Sequence, residues 1–281
     1  MKRFVAPAAI LLLLVACSTI GLLYSFLDNF IEDQAEYYLN LDKAGEEFVE
    51  ARIDDFITWH QSQMLLRYAA YLNLQADRIE RTGTISRPAT DAAIEELRAL
   101  VEDTVEGFTP HVAKVLAQHR SKSDIDHLQD RLAERTEEQR EILKDVTPEE
   151  RAERRAERTR DYFERFTGEL NEGQLEIIRR HVAATATDTA RRLDRWERNA
   201  RRFITFMRRV PEEAEIQIFL NALFLRPDDG VPQVERRFRE VRFQRFQTFI
   251  GDVLESLTEV QRRVMIKNLR GYSKEFRAIA S

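Results

Sequence analysis

The chain is short of the residues that punctuate and staple small folds. Of 281 residues, one is cysteine, nine are glycine and seven are proline. A single thiol forms no intramolecular disulfide and no thiolate metal cluster. Scarce glycine and proline leave few tight turns, and no segment alternates strictly between apolar and polar residues, so no sheet is expected. A glycine-rich phosphate loop, a nucleophile elbow and an HExxH zinc helix are all missing. No catalytic signature remains: the chain reads as a non-enzyme, and no cofactor or metal is implied. A formal charge of −5 argues against wholesale nucleic-acid binding. Charge itself is abundant, at 33% of residues, against roughly 25% in an ordinary domain. With leucine and alanine it gives the composition of long amphipathic helices with ion-paired outer faces. The expected fold is all-α, an elongated bundle of long, kinked, antiparallel helices.

The N-terminus is of another kind. Lys2 and Arg3 precede an apolar run from Phe4 to Val15, too short to span a bilayer and suited to a secretory signal. It ends in Leu14-Val15-Ala16-Cys17. An ordinary secretory signal, or an apolar helix burying its cysteine, are the plainer readings. The whole pattern resembles the lipobox of bacterial lipoproteins. That resemblance implies cleavage between Ala16 and Cys17, a diacylglycerol on the Cys17 thiol and an acyl chain on the new amine. Such an anchor exceeds the two signals that stable membrane attachment needs. Ser18, where aspartate would favour inner-membrane retention, leans by the same resemblance to the periplasmic face of the outer membrane. The expected organisation is a signal peptide at 1–16, an anchored segment at 17–45 and a helical domain at 46–281.

Apolar periodicity predicts helices over Glu46–Arg81, with Val49, Ile53, Phe56, His60, Met64 and Tyr68 on one face, and over Asp91–Arg120. Pro88 is expected in the loop between them, and Pro110 should kink or break the second helix. Ser123 with Asp126 suggests a cap, and Thr147-Pro148-Glu149-Glu150 a capping box. Leu175 to Val210 reads as one helix, and Arg226 to Pro232 as the clearest loop. Leu170-Asn171-Glu172-Gly173-Gln174 and Leu257-Thr258-Glu259-Val260-Gln261 are two further capping boxes.

Two family resemblances follow. The lipobox, the segment Tyr37 to Asp42 and the segment Trp59 to Leu72 together look like an uncharacterised family of helical lipoproteins of Gram-negative bacteria. Met64 and Leu66 depart from that pattern, where Glu and Pro are usual. Its members imply no activity. Leu257, Thr258 and Gln261 form an LTxxQ motif, which Leu170, Asn171 and Gln174 repeat with Asn for Thr. Paired LTxxQ motifs resemble the Spy/CpxP group of helical periplasmic chaperones, although 87 residues between them is a long spacing for that group. Chance capping boxes would read the same.

Arginine is the most suggestive constellation. Between residues 191 and 209 eight arginines face only Asp194 and Glu197, with Arg191, Arg195, Arg198 and Arg202 at helical spacing. Arg236, Arg239 and Arg242 interleave with Phe238 and Phe243. Guanidinium beside aromatic surface suits partly apolar, anionic partners. Glutamates on neighbouring helices could neutralise the same face. His111, His119 and His127 recur every eight residues, about 12 Å apart along a helix, too far to share a metal. His60 reads as a core or boundary histidine. The function expected is a lipid-anchored envelope protein that binds or chaperones unfolded protein or another envelope protein, without catalysis. The alternative is an adaptor docking a specific assembly.

Overall fold

The computed structural model describes residues 26–226 and 232–281, together with Gly21 and Tyr24. The signal peptide, the cleavage point at Ala16 and the lipidation site at Cys17 lie outside the described residues, as does most of the expected loop after Arg226. Among the described residues the fold is helical throughout, with no strand. The expectation of an all-α bundle is met.

Helix α1 (Leu27–Tyr38) is followed, after a break at residues 39–42, by α2 (Lys43–Trp59), a π-helical turn (His60–Leu65) and α3 (Leu66–Thr82), and these last three form one uninterrupted rod from 43 to 82. Helix α4 (Arg87–Gln118) returns along it. Then come α5 (Lys122–Lys144), α6 (Pro148–Thr167), α7 (Glu172–Ala184), α8 (Asp188–Met207), α9 (Glu213–Leu225), α10 (Gln233–Glu255) and α11 (Glu259–Ile279). At about 48 Å, α4 is the spine. Near its C-terminus Arg120 donates to the Pro211 carbonyl at 2.7 Å, ahead of α9. Midway, Thr109 meets Asn221 of α9 at 2.7 Å. Towards its N-terminus, Arg98 lies over the Phe243 ring of α10, and Arg87 binds Asp252. Helices α9 and α10 therefore run end to end, antiparallel to α4.

Three apolar clusters hold these elements. Val49 and Ile53 of α2, Ala113 and Leu116 of α4, Ile125 and Leu128 of α5, Ile204 and Met207 of α8, and Ile216 and Leu220 of α9 make the largest. Ala76 and Ile79 of α3 meet Leu257 and Leu269 of the α11 end in a second. Ile178 and Val182 of α7 meet Phe249 and Val253 of α10 in the third. Each buried leucine or isoleucine contributes about 1.5–3 kcal/mol relative to exposure.

Several local expectations need correction. Pro88 sits in the first turn of α4 rather than in the loop, where its missing N–H costs nothing. Pro110 does not break α4. It deprives the Glu106 carbonyl of its donor, and the Thr109 hydroxyl supplies one at 3.2 Å. The α5 cap is Ser121 with Asp124, not Ser123 with Asp126. The single helix expected from Leu175 to Val210 is broken between α7 and α8. There Thr185 turns its hydroxyl back onto the His181 carbonyl at 2.8 Å, and Arg155 of α6 takes the Thr185 carbonyl at 3.1 Å. The same carbonyl also accepts from the Asp188 N–H at 3.1 Å, a tighter turn that the long-range guanidinium supports. The boxes at Thr147/Glu150, Asn171/Gln174 and Thr258/Gln261 form as expected.

The π turn also has local causes. The Ser62 hydroxyl donates to the carbonyls of Thr58 at 2.9 Å and Trp59 at 3.2 Å, inside the loosened ladder. Gly107 of α4 lets the two helices approach: a Cβ there would stand 2.0 Å from the Trp59 ring. Gly83, at φ 67°, ends α3 in the left-handed conformation that glycine adopts freely.

Candidate functional site

The two LTxxQ-type caps meet. Leu170 and Leu257 are both buried, and so are Gln174 and Gln261. Within each box the glutamine oxygen accepts from the backbone N–H of its own cap residue, Asn171 or Thr258, at 2.9 Å. Across the boxes, the Gln174 and Gln261 amides donate to each other's oxygens, both at 2.9 Å. Each amide then gives its second hydrogen to the carbonyl two residues before the other cap: Gln174 to Ser256 at 3.2 Å, Gln261 to Glu169 at 2.7 Å. The two halves of this clasp are equivalent, position by position. Every donor and acceptor of both amides is used, so a polar pair is buried without an unpaired group. The clasp ties the α6–α7 turn to the α10–α11 turn. Both amides are buried and fully paired, so the motif residues act as structure in this arrangement.

The arginine faces are arranged differently. Helix α8 carries an open groove of about 540 Å³ against α9, lined by Arg198, Arg202, Phe206, Arg209 and Phe219 among others. A second groove of about 360 Å³ lies against the N-terminal turns of α10, between Arg191, Arg195 and Arg198 on one side and Val234, Glu235 and Phe238 on the other. Arg198 belongs to both, so the two grooves adjoin on one face of α8 and make a divided trough. Its floor is aromatic as well as cationic. The Arg191 guanidinium lies 4.4 Å from the Phe238 ring centre. Phe206 stacks on Phe219 at 4.3 Å, with Arg209 over Phe206 at 5.5 Å.

Neutralisation of this face is partial. Arg198 pairs with Glu235 at 2.7 Å, Arg201 with Glu197 at 3.1 Å and Arg208 with Asp126 at 2.7 Å. Glu197 also takes Arg140 of α5 at 2.7 Å. Among the described residues no carboxylate lies within ion-pair distance of Arg191, Arg195, Arg202 or Arg209. Arg195 is half-buried, and Arg242 and Arg239 of α10 stand close enough to oppose its charge. Burial first, then these two neighbours, hold the Arg195 guanidinium below the usual arginine range, while Glu235 pulls the other way. Glu235 is shared further, with Arg239 at 3.8 Å. Five guanidiniums thus gather at this end around Glu235 and Asp194.

Of the residues singled out in the sequence, Arg191, Arg195, Arg198, Arg202 and Phe238 line the trough, and Arg239 and Arg242 back it. Phe243 lies under Arg98 of α4 instead, 5.6 Å away, and Arg236 is exposed outside the lining. Sequence reasoning missed Phe206, Phe219 and Val234. Phe206 stands four residues after Arg202, a one-face spacing that could have flagged it. Phe219 and Val234 come from helices whose placement no local pattern reveals.

A third locality is the π turn. His60 faces Tyr24, whose hydroxyl lies 2.9 Å from its Nδ1. Phe56, Trp59 and Tyr68 surround the imidazole. Burial lowers His60 from its ordinary value and pushes Tyr24 up to about 12. Met64 is buried and Leu66 exposed. His111 packs on Phe56 of this cluster, whereas His119 lies against Gly45. Among the described residues no group of three or more His, Cys, Asp or Glu is placed to hold a metal ion, and no helix is long and apolar enough to cross a membrane.

No curated protein and no solved structure matches the chain. Residues 37–233 match the model of a family of unknown function, a span that includes the π turn, the first motif cap and all of α8. The chain therefore belongs to the family of unknown function DUF6279.

Proposed function

We propose that this protein is a non-catalytic binding protein of the bacterial envelope, with a chaperone-like hold on partly apolar, anionic clients. One observation carries the reading: guanidiniums converge beside phenylalanines along α8, and among the described residues no carboxylate lies within ion-pair distance of Arg191, Arg195, Arg202 or Arg209. An anion entering the trough relieves repulsion between Arg195, Arg239 and Arg242 and replaces hydration with charge-assisted hydrogen bonds. Phe206, Phe219 and Phe238 supply apolar surface for the rest of the client. The resemblance of the two motif caps to the Spy/CpxP chaperones adds support from a second direction.

The location belongs to the same proposal. The pattern ending in Ala16-Cys17 supports a lipid anchor at Cys17, and Ser18 supports the periplasmic face of the outer membrane. Mass spectrometry of the native protein tests it: the expected N-terminus is a triacylated Cys17, and a chain still beginning at Met1 defeats it. The binding role is tested by light scattering of an unfolding client. A stoichiometric amount of the protein should suppress aggregation, and the Arg195→Glu/Arg202→Glu variant should not. An unchanged scattering curve with the wild type ends the chaperone reading.

A further inference from the structure

We infer that the groove between α8 and α9 receives helix α1 of a second copy of this chain. The inference rests on that groove being a binding surface, and names the partner it takes.

Two stretches of the chain are opposite in charge. The arginines of α8 have their counterpart near the N-terminus, where ten carboxylates between Asp28 and Asp55 meet only Lys43 and Arg52. Arg52 is taken by Asp55 at 3.0 Å. Among the described residues no cation lies within ion-pair distance of Asp28, Glu32, Asp33, Glu36, Glu50 or Asp54. These carboxylates oppose one another. Burial first, then Glu50, Asp28, Asp54 and Glu36, raise Glu32 above the ordinary carboxylate range. Docking this end on the α8 arginines relieves like-charge repulsion on both surfaces.

Helix α1 also presents apolar surface beside its charge. Phe26, Phe30 and Asp33 follow one another at steps of four and three residues, so they share a face, and all three are exposed. Phe26 is 58% and Phe30 61% exposed, although the opposite face of the helix is engaged. There Ile31, Ala35 and Tyr38 pack on the largest apolar cluster, and Arg131 of α5 lies over the Tyr37 ring at 5.7 Å. Helix α1 is thus fixed in its own molecule, and no residue of its outward stripe lines its own groove. A bilayer is a poor partner for this stripe, because anionic headgroups repel its carboxylates.

The groove offers the matching surface. Arg202 and Arg209 stand on either side of Phe206 in the sequence, and Phe206 stacks on Phe219 at 4.3 Å. Neither arginine has a carboxylate within ion-pair distance among the described residues. An incoming helix about 18 Å long, the length of α1, sets its phenylalanines against these rings and its carboxylates against the guanidiniums. The two surfaces are different patches, so the contact is heterologous: each copy offers one α1 and one groove.

The test uses residues 17–281 with Cys17→Ser, which keeps every described residue and carries no acyl chain. Sedimentation velocity at low ionic strength should show reversible self-association that grows with protein concentration and weakens as salt is added. Arg202→Glu, and separately Phe30→Ala/Asp33→Lys, should each weaken it at least about tenfold. Mixing these two variants should give a one-to-one pair, since one keeps α1 and the other keeps the groove. A mixture without that pair overturns the assignment. The exposed control Arg263→Glu should leave association unchanged, and an equal loss there shows a net-charge effect and overturns the site. A wild-type chain that stays monomeric yet suppresses client aggregation defeats this inference and leaves the binding role standing. If it neither associates nor suppresses aggregation, both fail.

Discussion

The two ends of helix α10 solve the same electrostatic problem in opposite ways. At its C-terminal end, polar groups are paired. Asp252 holds Arg87, Phe249 and Val253 pack on α7, and the next turn delivers Gln261 into its reciprocal pairing with Gln174. At its N-terminal end, Arg239 and Arg242 crowd Arg195, and Val234 stands 82% exposed. A buried amide left unpaired would cost about 1–3 kcal/mol, and none is. Guanidiniums at the rim keep part of their hydration, so their repulsion is tolerable and can be spent on a ligand. The end that is finished internally is architecture; the crowded end is where the proposed client would bind.

The sharpest way to break this contrast is at the clasp. Gln174→Leu leaves the Gln261 amide, the Ser256 carbonyl and the Asn171 N–H short of partners, and should destabilise the fold by about 2–3 kcal/mol in urea titration. Adding Gln261→Leu should cost less than a second independent loss, because the pair acts as one unit. Strict additivity of the two would show that the amides are not coupled.

A pH titration probes the same end. His181 stacks on Phe249 at 4.0 Å, and burial, then the charge of Arg155, lower its affinity for a proton. The folded state thus holds His181 neutral below the ordinary histidine range near 6.5. Between that range and the lowered folded value the unfolded chain binds more protons. Stability should accordingly be full above about pH 6.5 and fall as the solution is acidified. His60 and His111, also lowered by burial, act in the same direction. His181→Gln should flatten part of the slope in thermal melts; a slope identical to wild type would remove His181 from the account.

Effects at the other end are smaller and of opposite sign. Arg195→Gln removes a crowded charge and should raise stability slightly, by less than about 1 kcal/mol, while weakening client binding. A loss of stability would mean that Arg195 is held structurally. The smallest expected effect is that of salt. Moving from low to moderate ionic strength should slow amide exchange in the first turns of α10, where repulsion is screened, and leave the Gln174–Gln261 turn unchanged.

The contrast also explains how much the sequence discloses. A capping box lies within four consecutive residues, so Thr147, Asn171 and Thr258 announce their helices without knowledge of the fold. That two of these boxes would clasp each other depends on packing across 87 positions, and no local pattern carries it. The arginines were visible, but their partners were not. Arg140–Glu197, Arg198–Glu235 and Arg208–Asp126 all join different helices. Helix periodicity was a good guide until a side chain from elsewhere joined the backbone ladder, as Arg155 does at Thr185.

The π turn at His60–Leu65 has one more consequence. Each residue of an α-helix advances the chain by about 100° around its axis. A wide turn carries one residue more than a regular ladder would, so it works as a phase adjuster between two stretches that face different neighbours: Val49 and Ile53 look to α4, while Ala76 and Ile79 look to the α11 end. Deleting Ser62 would tidy the helix and rotate everything beyond it by a quarter turn or more. Ala69, whose carbonyl now receives the Ser273 hydroxyl at 2.7 Å, would swing away from α11. An irregularity of six residues sets the aim of the seventeen that follow it.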